Sequence, residues 1–213
     1  MMMRLYYRFC RFICQMGFLL YFRGRIFGLR NVPDCGGVLL VCNHQSYLDP
    51  VLATLALHRE GNYMARDSLF ANRLFRQLIE SLNAFPVRRG TADIGAIKET
   101  MRRLRNGKVV VAFPEATRTR DGRIGTLHGG FASVAKRAEA WIVPVVIEGA
   151  FESWPRWRRL PAPHRIVVVY GQPVAPEAAA SMPPDELVEQ VRDRLVSMQA
   201  DLHRRLGMIR PCK

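Results

Sequence analysis

Short β-branched runs alternate along this chain with longer stretches in which apolar residues recur every third or fourth position. That alternation predicts a layered α/β fold. Val38-Leu39-Leu40-Val41-Cys42, entered from Gly36-Gly37, reads as a buried strand, and so do 108–113, 141–147 and 165–170. Pro144 interrupts the third of these. Two briefer strands are predicted at 62–65 and 83–90; Pro86 places the second at an edge or strand end, and it finishes in Arg88 and Arg89. Helical spacing marks 51–57, 67–82, 131–140 and 91–106, the last through Ile94, Ile97, Met101 and Leu104, with Gly107 placed to end it. A closing helix over 184–206 carries Leu187, Val191, Leu195, Met198 and Leu202 as one stripe, and its mixed charges mark it as packed scaffold.

The first 30 residues are different. They hold six arginines and no acid. Arg4, Arg8, Arg11 and Gln15 recur at helical steps and form a polar stripe, surrounded by Phe9, Phe12, Ile13, Phe18, Leu19, Leu20 and their neighbours. The apolar part falls short of the roughly 20 residues a spanning helix needs. Arg23-Gly24-Arg25 stands where a secretory signal would carry its small-residue cleavage site. A broad apolar face with a basic stripe suits a helix, or a helical hairpin, lying in a membrane interface. The other arrangement open to it is packing against the domain with its arginines in water.

Composition narrows this picture only in part. A chain of 213 residues with 49% hydrophobic content suits one domain plus a terminal appendage, divided here as 1–30 and 31–213. Thirty-two basic against 18 acidic residues give a net charge of +14, which implies an anionic partner: membrane, nucleic acid or a phosphorylated metabolite. Cys10, Cys14, Cys35, Cys42 and Cys212 are odd in number and lack metal-ligand spacing, which favours reduced thiols in a cytosol-facing protein. Trp154-Pro155-Arg156-Trp157-Arg158-Arg159 interleaves tryptophan with arginine. Such a segment suits a lipid headgroup layer, the bases of a single strand, or a loop that covers the core.

Polar residues gather where strands end. His44 and Asp49 follow the first strong strand, five residues apart, so they meet only if the histidine lies in a turn and the aspartate in the first turn of a helix. An imidazole oriented by a carboxylate is a general base near neutral pH, but a loop histidine and a helix-start acid favoured by the helix dipole account for the same residues. Asn43 or Ser46 is placed to cap that helix. Arg88 and Arg89 close a second strand, and Glu115, Thr117 and Arg118 follow a third. Together these describe a base beside an anion-binding pocket.

Asn43-His44-x-Ser46-x-x-Asp49, the apolar run 85–89 ending in arginine, Phe113-Pro114-Glu115-Ala116-Thr117-Arg118, and Val143-Pro144-Val145 occur in this order. In that respect the chain resembles the glycerophospholipid acyltransferases. The resemblance covers about residues 36–150 and implies a layered mixed sheet flanked by helices, with 31–213 as the acyltransferase domain. It further implies that His44 takes the proton of a lysophospholipid hydroxyl while Asp49 orients it, and that the alkoxide attacks an acyl thioester without a metal, cofactor or covalent intermediate. Arg89, with Arg88 beside it, and Arg118 are implied to bind the acceptor phosphate, with Glu115, Thr117, Ser46 and Pro144 as further substrate-site residues. Arg4, Arg8, Arg11, Phe18, Trp154 and Trp157 are the expected membrane contacts, at the cytoplasmic face of the cell membrane.

Three positions depart from the family pattern. Ala116 replaces a glycine, Arg88 stands where many members have aspartate, and His128 stands where lysine is frequent. If position 116 needs positive φ, alanine carries strain. The expected acceptor is 1-acylglycerol 3-phosphate and the donor acyl-coenzyme A or acyl-carrier protein; another lysolipid acceptor is the alternative. A non-catalytic membrane-binding protein is a further alternative that an intact His44 and Asp49 oppose. Nucleic-acid binding has only charge and the Trp/Arg segment behind it, with no recognised motif.

Overall fold

A computed structural model describes residues 5–88 and 93–206. After helix α1 (Leu5–Leu20) come strands β1 (Arg25–Phe27), β2 (Val38–Cys42), β3 (Gly61–Arg66), β4 (Ala84–Val87), β5 (Val109–Ala112), β6 (Trp141–Glu148) and β7 (Val167–Tyr170). They form one sheet in the order β1-β7-β6-β2-β5-β3-β4, parallel throughout except for the β6–β7 pair. The connecting helices are α2 (Asp49–Leu52), α3 (Arg73–Ser81), α4 (Ile94–Arg105), α5 (Gly130–Ala138), α6 (Ala150–Ser153), α7 (Pro176–Ser181) and α8 (Pro184–Leu206).

β2 lies between β5 and β6 and is buried at every residue, which is why it reads as a continuous apolar run. Its side chains alternate between two cores. Leu39 and Val41 pack with Leu104, Val134, Leu187 and Leu195 beneath α4, α5 and α8. Val38, Leu40 and Cys42 pack with Leu52, Ile147 and Phe18 on the opposite face. Burial pushes the Cys42 thiol well up, and the Asp49 charge adds to this, so Cys42 is a neutral packing group. Gly107 closes α4 as expected, at φ 66, with its N–H donating to Leu104 O at 2.8 Å.

Several boundaries differ from the sequence pattern. The helix expected over 51–57 is a single turn, α2, followed by turns. The stretch 67–82 divides at Asn72, whose side chain accepts the Phe75 N–H at 3.0 Å and so starts α3. The predicted start of α4 at 91 lies outside the described residues; Asp93 caps the observed helix through the Ala96 N–H at 3.0 Å. Pro144 does not interrupt β6. Its carbonyl accepts the Gly171 N–H at 2.8 Å, at the place where β7 has ended and before Val174 bridges to Ile142. The missing donor therefore falls in a gap of the ladder. Pro144 is buried there and sits in the core of the sheet.

The N-terminal segment is joined to the domain more closely than the division at residue 30 implies. β1 pairs with β7, and a single helix precedes it, so no helical hairpin forms among the described residues. Two residues of the polar stripe of α1, Arg11 and Gln15, face inward. Arg11 donates to Leu57 O, and Gln15 donates to Leu55 O at 2.9 Å. Tyr7 accepts the Gly61 N–H at 3.0 Å. Phe18, expected at the membrane, is 7% exposed and belongs to the core. Arg11 and Phe18 are thus docking residues of α1: Arg11, with Gln15, satisfies carbonyls at the end of the 51–57 turns, and Phe18 packs into the core. Arg8 remains exposed; Arg4 lies outside the described residues.

Candidate active site

The end of β2 is fastened before any catalytic group is placed. Asn43 spans to β6: its Nδ2 donates to Ile147 O at 2.9 Å and its Oδ1 accepts the Ile147 N–H at 2.8 Å. The chain then turns through 44–48 into α2. Asp49, wholly buried, gathers that turn onto one oxygen. Oδ2 accepts the backbone N–H groups of Gln45 and Ser46, both at 2.6 Å, and lies 2.8 Å from His44 Nδ1. A carboxylate so placed can only accept, so Nδ1 of the neutral imidazole carries the proton and Nε2 holds the free lone pair. Phe113 stacks on the ring with centroids 4.2 Å apart, fixing its plane. At 8% exposure His44 is shielded from bulk water yet open at one edge.

Neither residue first considered caps α2. Leu48 occupies the cap position without a side-chain bond, and Asp49 performs the gathering from inside the turn. Ser46 is fully buried and donates to Trp154 O at 2.8 Å, so it holds the loop in place.

The end of β5 supplies the second half. Glu115 Oε1 accepts the His44 N–H at 2.9 Å, Oε2 accepts the Gly125 N–H at 3.2 Å, and the Thr119 N–H donates to His44 O at 2.8 Å. Burial pushes the Glu115 carboxyl up, and the two backbone donors draw it back down. The intervening residue Ala116 has φ 58, the left-handed conformation that a glycine would adopt freely.

Arg118 folds back over Tyr47, its guanidinium carbon 3.5 Å from the ring centroid, and its buried Nη1 has no hydrogen-bond partner. A cleft of about 740 Å³ opens here, lined by Arg66, Glu115, Thr117, Arg118, Arg123 and Arg156 among others. Arg66, Arg118 and Arg156 form no ion pair among the described residues. Three guanidinium groups without ion-pair partners give the cleft a basic character, offset in part by Glu115 and Asp121 in the same lining.

Arg88 does not reach it. It lines a separate cleft with Asp67, Arg76 and Asp93, and its backbone N–H donates to Asp93 Oδ2 at 2.8 Å. Arg89 lies outside the described residues. Arg66, which the motifs did not flag, ends β3 one strand away from β5 and lines the Arg118 cleft. The signal was available: a lone arginine closes the run 62–65, as Arg88 closes the next strand. Trp154 forms the wall behind the turn, its ring 5.3 Å from Tyr47 and its Nε1 donating to Arg158 O at 3.0 Å. Trp157 is 63% exposed. No group of three or more candidate metal ligands occurs among the described residues.

A family model described as Acyltransferase matches residues 23–148, which include the β2 turn and the start of the Arg118 cleft. The chain belongs to the Acyltransferase family. A 1-acyl-sn-glycerol-3-phosphate acyltransferase of Bacillus subtilis is 25% identical over 206 residues, 95% of this chain and 100% of that protein. The protein of that name from Streptococcus pneumoniae is 29% identical across 74% of this chain and 57% of its own length. The chloroplastic LPAT1 of Arabidopsis thaliana is 28% identical over 63% of this chain and only 38% of its own. The crystal structure of the 1-acyl-sn-glycerophosphate (LPA) acyltransferase PlsC from Thermotoga maritima superposes with a TM-score of 0.78, covering 92% of this chain and 79% of that one. At 23% identity that likeness is one of fold. In this Acyltransferase-family protein the His44–Asp49 pair and the arginine cleft therefore share one end of a sheet whose architecture a lipid acyltransferase also has.

Proposed function

We propose that the chain is a 1-acylglycerol-3-phosphate O-acyltransferase that makes phosphatidic acid. The observation that carries this reading is the 2.8 Å His44–Asp49 contact beside a cleft of unpaired arginines. The cleft holds the acceptor phosphate through Arg118 and Arg66. His44 Nε2 removes the proton from the free hydroxyl, and Asp49 stabilises the imidazolium. The oxygen attacks the acyl thioester, the carbon–sulfur bond breaks, and the proton passes from the imidazolium to the departing thiolate of coenzyme A or acyl-carrier protein. One ester forms and one thiol is released, so the reaction balances without a cofactor.

α1 supports catalysis at a membrane surface. With Arg11 and Gln15 turned inward, Leu5 (81% exposed), Leu20 (69%), Phe9 (61%), Leu19, Phe12 and Ile13 face out. An apolar face of that extent marks a lipid or protein contact. Beside its C-terminal end, a cleft lined by Tyr21, Arg23, Arg25, His164 and Arg165 contains no acid. No helix among the described residues is long and apolar enough to cross a membrane. In the proposed reading the exposed apolar face of α1 lies in the bilayer interface, at the cytoplasmic face, with Trp157 as a further contact.

Acyl transfer in reconstituted vesicles, with lysophosphatidic acid beside neutral and zwitterionic lysolipids, tests the acceptor. Turnover of another acceptor with lysophosphatidic acid ignored would refute it. The membrane arm is tested by Phe9→Ser/Phe12→Ser/Leu20→Ser, which leave the docked stripe intact and should reduce co-sedimentation with anionic vesicles. Single-stranded DNA at physiological salt should not bind.

A further inference from the structure

We infer that α8 is a working part of the acceptor site: Gln199, held by Glu148, acts as a positioning residue for the arginine loop. This rests on the acyltransferase reading above. Glu148 closes β6 with 1% exposure, a carboxylate in the sheet interior where it needs donors. Its Oε2 receives the Gln199 amide at 2.7 Å and the Gln45 amide at 3.4 Å. His203 Nε2 stands 3.3 Å from Oε1. Both amides have a second acceptor, and it is the same one: Gly122 O, 3.0 Å from Gln199 Nε2 and 2.9 Å from Gln45 Nε2.

Each NH2 therefore divides its two hydrogens between the carboxylate and the carbonyl. Because both partners only accept, Glu148 fixes which way each amide faces. Gly122 ends the segment that begins at Glu115 and carries Thr117, Arg118 and Thr119. That segment is tied to His44 at Glu115 and at Thr119, and Gly122 O is its far anchor. Gln45 adjoins the base in sequence; Gln199 reaches the same carbonyl from a helix 77 residues beyond it. The two amides thus set the distance between base and arginine loop from opposite sides. A substrate whose phosphate sits on Arg118 and whose hydroxyl must meet His44 is sensitive to that distance.

Gln199→Met keeps side-chain length and volume while removing both donors. We expect the KM for lysophosphatidic acid to rise about five- to tenfold, with the donor KM within about twofold of wild type. Hydrogen exchange in 117–125 should quicken relative to β2. A purely structural role would lower the melting temperature and active fraction while leaving both KM values and the exchange contrast unchanged, and that result overturns the proposal. Should Gln199→Met fail to fold, Glu148→Gln carries the same test, since it keeps the volume but lets either amide turn over. The exchange measurement needs no substrate. If the wild type ignores lysophosphatidic acid the acceptor assignment fails, while unchanged exchange in 117–125 sinks the positioning role itself.

Discussion

The ends of β2 and β5 lie side by side and solve opposite problems. At β2 the polar groups that place the base are held inside the protein: Asn43 pairs with Ile147, and Asp49 collects three donors on Oδ2, leaving only its buried Oδ1 without a partner among these groups. At β5 the backbone is tied down through Glu115 and Thr119, but the guanidinium groups of Arg66, Arg118 and Arg156 form no ion pair with a carboxylate among the described residues. A proton-transfer group must be pre-oriented and shielded, so its partners are built in. A binding group must stay available, so its partner is left to the ligand. On the proposed function, the buried pair carries the chemistry and the arginine cluster the recognition.

Substitutions at the two ends should separate accordingly. His44→Ala should lower kcat by at least ~100-fold, with the acceptor KM little altered, as expected when a general base is lost. A large KM change with kcat retained would reverse the assignment. Asp49→Asn should approach the same loss and also destabilise the turn, because an amide cannot accept three donors on one oxygen as the carboxylate does. Arg118→Ala should lower kcat/KM about 10- to 100-fold, mainly through the KM for a phosphorylated acceptor, and barely affect an uncharged lysolipid.

Smaller effects sharpen the contrast. Ala116→Gly relaxes the residue at φ 58 and should raise stability by about 1 kcal/mol, read as a higher melting temperature. Glu99, on α4 and away from both strand ends, is a control. Its hydrogen bond with Arg102, aided by Arg103, holds the carboxyl at about 2, below its ordinary value. A depressed carboxylate contributes stability above its unfolded pKa and loses it as pH falls through the folded one. Glu99→Gln should therefore cost about 0.5 kcal/mol near neutrality, a gap that closes between about pH 4.5 and about 2, with both kinetic parameters unchanged.

Much of the site was legible because strand ends are punctuated locally. The break from Cys42 into Asn43-His44, and from Ala112 through Phe113 into Pro114-Glu115, can be read from a few adjacent residues. Arg66 closes a strand in the same way, and that local signal gains meaning only from its neighbours in space, the residues of the Arg118 cleft. Arg88 was misplaced for the complementary reason: a strand end fixes where the backbone stops, while the facing cleft depends on which helices flank it. The inward turn of Arg11 was hidden because a polar stripe on an apolar helix serves water and buried carbonyls equally well.

By itself the sequence determined the alternating layers, the buried central strand, the placing of His44 and Asp49 at a strand end and the basic excess, all of which are set by period, propensity or short spacing; that the two side chains meet was decided by the fold. Tertiary structure alone decided which way α1 faces, which arginines share a cleft, and that a carboxylate on β6 joins Gln45, Gln199 and Gly122 across more than half the chain. Those outcomes turn on competition among distant hydrogen-bonding groups for the same few buried partners, and such a competition has no local signature.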